Sequence, residues 1–327
     1  MGRSFSKSLF FSKSNKESNS MDSKSKQTEF QYIDGRRFHS AENVVYHLPN
    51  DEDETDRLHT QHFLIRYVWQ SNFSAPIEHL LSKPGAKILD IGCGAGSWSF
   101  DIATTYPLSK VIGLDMSSYQ PTHIKPSNFE FIKADAQEGL PFDDNTFDFV
   151  FQRFLFIGYT TEKWPYVINE IVRVLKPGGY LELCEPSNVF DGGPATRRLW
   201  NYGEAELLKK QGSDFDSYQK LEKYLQDQVG QLENIKKEVK QNYFGAKHNS
   251  LELSKVNVGN AINALASLKP ILIKTLQVSN EEYDELVKTC EKELFELDSY
   301  FYMVRAYARK VNNNNNNESM IQNINNF

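Results

Sequence analysis

Between residues 87 and 184 the chain alternates short apolar runs with stretches of mixed polarity. The first run is Lys87-Ile88-Leu89-Asp90-Ile91. Val111-Ile112-Gly113-Leu114, Phe129-Glu130-Phe131-Ile132-Lys133, Phe147-Asp148-Phe149-Val150 and Tyr180-Leu181-Glu182-Leu183 follow it. Runs of this length and character fit strands buried on both faces of a parallel sheet. Val167, Ile168, Ile171, Val172 and Leu175 recur at helical spacing, with Pro165 near the start of their segment and Pro177-Gly178-Gly179 after its end. Alternating strands and helices predict an α/β fold with a mostly parallel sheet, and right-handed crossovers place helices on both of its faces. A ligand is expected over the carboxyl ends of the first four strands, where the loops after Asp90, Asp115, Asp135 and Phe151 converge.

Past Cys184 the pattern predicts helices over Ala195–Gln211, Asp216–Gln228, Leu251–Leu268 and Glu281–Leu297, and strands over Asn234–Phe244 and Tyr300–Lys310. Upstream, the acid-rich stretch 51–56 suits a helix start, where the dipole favours negative charge. Leu58, His62, Ile65 and Trp69 then follow near helical spacing, as in an amphipathic helix covering the sheet edge. The chain therefore divides into a Ser/Lys-rich tail over 1–28 that reads as disordered, a lead-in with cap helices over 29–84, the main domain over 85–311 with helical insertions after residue 190, and an Asn-rich tail over 312–327.

The stretch Asp90-Ile91-Gly92-Cys93-Gly94-Ala95-Gly96-Ser97 carries the candidate chemistry. Three alternating glycines let the backbone turn sharply and let a ligand lie against it. The amides of a helix starting at this point favour anionic or polar groups. A lone Gly-x-Gly-x-Gly is weak evidence, but Asp115 at the end of the second run stands where an acidic residue meets ribose hydroxyls. Asp135-Ala136 after the third run and the turn Leu140-Pro141-Phe142-Asp143-Asp144 before the fourth complete the series.

Taken in order, these motifs over Lys87 to Cys184 resemble the class I S-adenosylmethionine-dependent methyltransferases. The resemblance implies a Rossmann-like seven-stranded sheet, mostly parallel with an antiparallel last strand, and S-adenosylmethionine as cofactor. It implies that Gly92, Cys93, Gly94 and Gly96 approach the methionine portion and that Asp90 helps to hold its ammonium. Asp115 would accept the ribose hydroxyls, Met116 would pack on adenine, Asp135 and Ala136 would meet its amino edge, and Gln152 would face the methyl. The lead-in resembles that of the methyltransferases related to fungal regulators of secondary metabolism, matched here by Tyr46, Leu48, Pro49, Asp51, Glu54, Arg57 and Leu58. A lid over the cofactor is the expected role of that segment.

Composition narrows the partners. With 327 residues, 39% hydrophobic, the chain supports one sizeable core and a small appended lobe. A net charge of −6 disfavours nucleic acid as a partner. No apolar run reaches the length of a membrane span. Met1-Gly2-Arg3-Ser4-Phe5-Ser6 formally fits N-myristoylation, and the acid-poor start also fits a weak organelle-targeting peptide, but an inert tail is the preferred reading. Three scattered cysteines suggest reduced thiols, and a cytoplasmic or nuclear location is expected. His59 and His62, one turn apart beside Asp56, lack a third metal ligand and read as a packing pair, so no metal is expected. There is no Gly-x-Ser-x-Gly elbow, which disfavours a hydrolase.

No general base announces itself, and the Asn/Asp-Pro-Pro-Tyr/Phe signature is absent after the fourth strand. Phe151, Phe154, Phe156, Tyr159 and Trp164 suit an apolar or aromatic acceptor, or equally a core. The expected function is methyl transfer to an unidentified acceptor, a small molecule before a protein. A regulatory or scaffold protein with the same fold and little turnover is the alternative. A nicotinamide-dependent oxidoreductase is disfavoured because Ser97 stands where its fingerprint expects a last glycine.

Overall fold

The computed structural model describes residues 30–33, 35–39, 48–117, 125–213 and 215–312. The expected tail over 1–28, the Gly2 site, Tyr46 and residues 313–327 lie outside them. A hairpin of β1 (Phe30–Ile33) and β2 (Arg36–His39) precedes α1 (Glu52–Trp69) and the short α2 (Glu78–Leu81). Asp51 caps α1 by accepting from the Glu54 amide, and Glu52, Asp53 and Glu54 fill its first turn, as the acid-rich stretch requires. Then come β3 (Lys87–Ile91), α3 (Ser97–Thr105), β4 (Lys110–Asp115), β5 (Phe129–Lys133), β6 (Phe147–Arg153), α4 (Lys163–Val174) and β7 (Leu175–Phe190). A run of α5 (Pro194–Thr196), a π-helix over Arg197–Glu204 and α6 (Ala205–Lys210) leads to α7 (Ser217–Gln226) and β8 (Leu232–Tyr243). The chain continues through α8 (Leu251–Leu276) and α9 (Asn280–Glu296) to β9 (Tyr300–Lys310).

Seven strands form one sheet in the order β5-β4-β3-β6-β7-β9-β8. The pairs among β5, β4, β3, β6 and β7 are parallel, and β9 runs antiparallel to both β7 and β8. This is the expected sheet, with its antiparallel final strand inserted between β7 and β8. One face packs on α4 and α7 through Ile168, Ile171, Val172, Leu221 and Leu225. The other packs on α2 and α3 through Leu81, Trp98, Ile102 and Ala103. A third core joins α8, α9 and the π-helix around Leu199, Leu265, Leu272 and Leu294.

The structure corrects three boundaries. α8 does not stop at Leu268 but runs through Pro270 to Leu276, because Leu265, Leu268, Leu272 and Leu276 keep one buried stripe across the proline. β7 begins at Leu175, directly after α4, so Pro177-Gly178-Gly179 lies within an irregular strand start. β6 extends to Arg153, three residues beyond Val150. No helix among the described residues is long and apolar enough to cross a membrane.

One buried ion pair fastens the lead-in to the sheet. Arg305 on β9 and Glu182 on β7 are fully buried and 3.3 Å apart. Glu182 Oε2 accepts from the amides of Ser74 and Ala75 at 2.7 and 2.8 Å, and the Arg305 guanidinium lies 4.2 Å from the centre of the Trp69 ring at the end of α1. Removing one partner would leave a buried charge uncompensated, at a cost of about 3–5 kcal/mol. Arg305→Ala should therefore lower the urea midpoint far more than the double variant Arg305→Met/Glu182→Gln. Equal losses would show that the pair does not carry this fastening.

Candidate active site

The turn from β3 into α3 builds the floor of the site. Gly92, Gly94 and Gly96 take φ of +66°, +53° and +81°, the left-handed region where a side chain is strained. The Gly94 amide donates to Asp115 Oδ2 at 2.9 Å, and the Ser117 amide donates to Asp115 Oδ1 at 2.8 Å. Asp115 thus holds the glycine turn against the end of β4. Asp90 is buried and accepts from Ser99 Oγ at 2.6 Å. Asp135 accepts from the Gln137 amide at 2.9 Å and opens a single 3₁₀ turn over Ala136–Glu138.

These residues open onto a cavity of about 260 Å³ at the carboxyl edge of the sheet. Asp90, Gly92, Cys93, Gly94, Asp115, Met116, Asp135 and Ala136 all line it. The cavity continues away from the sheet between α1, the loop after β6, the π-helix, β8 and α8. α1 contributes Arg57, Leu58, Gln61, Leu64 and Ile65 to the wall, while Trp69 at its end packs on Met303 of β9. The helix therefore roofs the cavity and also braces the sheet. Its position is set by a second buried pair: Arg57 donates to both oxygens of Glu54, Ser267 Oγ of α8 donates to Glu54 Oε2 at 2.7 Å, and Asn260 donates to the Arg57 carbonyl at 2.8 Å.

Two of the expected residues stand elsewhere. Gly96 does not line the cavity; it is the N-cap of α3, where a Cβ would come within 3.1 Å of the Phe100 ring. Gln152 does not face the cavity either. It lies inside β6, fully buried, and its Oε1 accepts from Tyr159 Oη at 3.2 Å. Strand alternation sends Val150 to the α4 face and Phe149 and Phe151 to the α3 face, and it leaves Gln152 beside Tyr159 on the α4 side. The residue at the strand end that reaches the cavity is Arg153.

Arg153 was missed by sequence reasoning. Its place at the carboxyl end of the fourth strand, once that strand is carried to Arg153, would have found it. It makes no hydrogen bond or ion pair with the described residues, and burial pulls its pKa down. Glu204, also missed, ends the π-helix and lines the far part of the cavity. The two histidines part company: His59 Nδ1 lies 2.7 Å from Ser97 Oγ, and His62 Nε2 lies 3.1 Å from Asp101 Oδ2. Each braces α1 on α3, and no group of three or more His, Cys, Asp or Glu that could hold a metal ion occurs among the described residues.

The chain is similar to known proteins. Residues 88–179 match the family model described as a methyltransferase domain. A methyltransferase, pytC, of Aspergillus terreus is 30% identical over 61% of this chain and 61% of its own. An N-methyltransferase, verN, of Clonostachys rogersoniana is 34% identical over 43% of this chain and 50% of its own. A secondary metabolism regulator, laeA, of Aspergillus flavus is 32% identical over 51% of this chain and 44% of its own. The chain thus spans between four and about six tenths of the length of these relatives.

The desolvated acids around the cavity give the protein a pH signature. Burial raises Asp90 to about 7, Asp115 to about 6 and Glu185 and Glu204 to about 8. Each pKa is raised above its unfolded value, so the folded state holds more protons and stability falls as pH climbs through the window. Burial lowers His59 and His62, an opposing effect confined to pH below their ordinary 6.5. Between pH 6.5 and 8.5 the ligand-free protein should therefore lose thermal stability, and Asp90→Asn should lose less. A midpoint that rises over this range would contradict the burial of these carboxyls.

Proposed function

We propose that this chain, whose residues 88–179 match a methyltransferase-domain model, transfers a methyl group from S-adenosylmethionine to a small molecule held in the outer part of the same cavity. The observation that carries the proposal is the set of groups facing that cavity. A turn of left-handed glycines lies beside Asp90 and Asp115, whose carboxyls burial raises, and beside Arg153, a guanidinium that feels Asp90 but makes no hydrogen bond or ion pair with the described residues. A zwitterionic amino acid joined to a nucleoside fits this donor set: its ammonium suits Asp90, its carboxylate suits Arg153 and its ribose suits Asp115. Met116, Asp135 and the Ala136 amide would receive the base.

S-adenosylmethionine, when bound, supplies a methyl group already activated on a sulfonium cation. The protein's own residues then have to orient two reactants and exclude water, and such positioning alone lowers barriers by about 7–11 kcal/mol. α1 closes the cavity on one side, fixed by the Glu54–Arg57 pair. The loop after β6 closes another, fixed by Glu185, which accepts from the amides of Leu155 and Phe156 at 3.0 and 3.3 Å. The cavity extends beyond the residues that would hold the cofactor, which favours turnover over a scaffold role. A cytoplasmic or nuclear site of action is part of the same proposal.

Calorimetry with S-adenosylhomocysteine tests it. The wild type should bind, and Gly94→Val should bind little while remaining folded. Asp115→Ala and Arg153→Ala should each weaken binding about ten- to a few hundred-fold, since hydrogen bonds to charged groups contribute roughly 1.5–3 kcal/mol each. Asp115→Ala should also lower stability, because it removes the carboxylate that accepts from the Gly94 and Ser117 amides. Wild-type affinity in both Asp115→Ala and Arg153→Ala would contradict the assignment.

A further inference from the structure

We propose that Glu204 receives the methyl acceptor, and that the acceptor is a small amine with an apolar body of aromatic size. The transfer step rests on the methyltransferase reading above; the amine site itself does not. Five acidic residues are buried among the described residues: Glu54, Asp90, Glu182, Glu185 and Glu204. Four of them have partners in the protein. Glu54 has Arg57 and Ser267, Asp90 has Ser99, Glu182 has Arg305 and two amides, and Glu185 has the amides of Leu155 and Phe156. Glu204 makes no hydrogen bond or ion pair with the described residues, although only 6% of its surface is exposed.

Burial without a partner raises the Glu204 carboxyl to about 8, so without a ligand the site keeps it protonated at neutral pH and a cationic ligand would bind its charged form. Glu204 lines the cavity that also contains the proposed cofactor residues. It stands at the end of the π-helix, where the wider turn re-aims side chains and which recurs at functional sites. The cation in this cavity that lacks a partner, Arg153, feels Asp90 and Cys184 at the sheet edge and leaves Glu204 uncompensated. Around the outer cavity stand Phe156, Trp200, Phe215, Phe244 and Phe301. Asn242, Asn257 and Asn260 add polar edges to this aromatic wall. A chamber so lined, with one unpaired acid, selects a cation on an apolar frame, and a protonated amine is both that cation and a methyl acceptor.

The chemistry balances. The ammonium of the acceptor gives one N–H proton to the Glu204 carboxylate. The freed nitrogen lone pair forms the bond to the methyl carbon, and the electrons of the breaking carbon–sulfur bond stay on sulfur. The positive charge passes from sulfur to the methylated nitrogen, and Glu204 ends protonated. Burial suits it to this task, since a carboxyl raised to about 8 is a far stronger base than an exposed glutamate.

Binding to the full chain is measured by calorimetry with tryptamine and phenethylamine and with their alcohol counterparts, indole-3-ethanol and 2-phenylethanol, with and without S-adenosylhomocysteine. At least one amine should bind about tenfold or more tightly than its alcohol. E204Q should lose that preference, while E204D, which keeps the charge, should retain part of it. S-adenosylhomocysteine affinity in E204Q should stay within about twofold of wild type, which also shows the variant to be folded. Amines and alcohols binding alike, neither amine binding, or an unchanged preference in E204Q would overturn the proposal. If E204Q does not fold, the amine–alcohol comparison on the wild type decides. Amine binding that depends on Glu204 in a protein that ignores S-adenosylhomocysteine would sink the methyltransferase reading and leave the amine site standing.

Discussion

The bond from the Gly94 amide to the Asp115 carboxylate joins the ends of β3 and β4, and the site depends on it. Three left-handed glycines could turn in several ways; this contact selects one of them. Asp115 cannot leave the crevice without breaking its bonds from the Gly94 and Ser117 amides. The carboxylate is thereby fixed at the mouth of the sheet with lone pairs to spare for a ligand. Its neighbour Asp90, behind the turn, is held by Ser99 on the first turn of α3, so the helix start and the strand end are locked together.

Around this floor the protein arranges walls through further buried polar contacts. Glu54 and Arg57 place α1, Glu185 places the loop after β6, and Glu182 with Arg305 places the segment between α1 and α2. In each case a charged group inside the protein is matched by a charge or by backbone amides, which is the condition for its burial. Arg153 and Glu204 break this rule among the described residues, and both do so inside the cavity. Sites where local rules fail are where function is to be sought. A structural account of the cavity therefore leads directly to a chemical one: an anion is wanted at one end and a cation at the other.

Much of the fold is legible in the sequence because its strands are buried on both faces and read as unbroken apolar runs. β5 and β9 fall where the runs predict them, at Phe129–Lys133 and Tyr300–Lys310. The glycine turn is legible because no other residue suits its backbone. The errors arise where tertiary contacts decide. Pro270 looks like a helix end, yet α8 crosses it because its buried stripe continues. Gln152 looks like a residue past the strand, yet pairing of Gln152 with Leu183 and of Arg153 with Cys184 on β7 carries β6 two residues further and turns Gln152 inward. Glu204 is invisible in the sequence: a single acid in a polar helical stretch reads as a solvated face, and only the packing of α8 against the π-helix buries it.

The most direct measurement of the central claim is a crystal structure of the full chain grown with S-adenosylhomocysteine. The account predicts density in the cavity with the ribose on Asp115, the base beside Met116 and Ala136, and the amino-acid carboxylate on Arg153. An S-adenosylhomocysteine molecule bound elsewhere, or bound here with Asp115 and Arg153 both untouched, would contradict it.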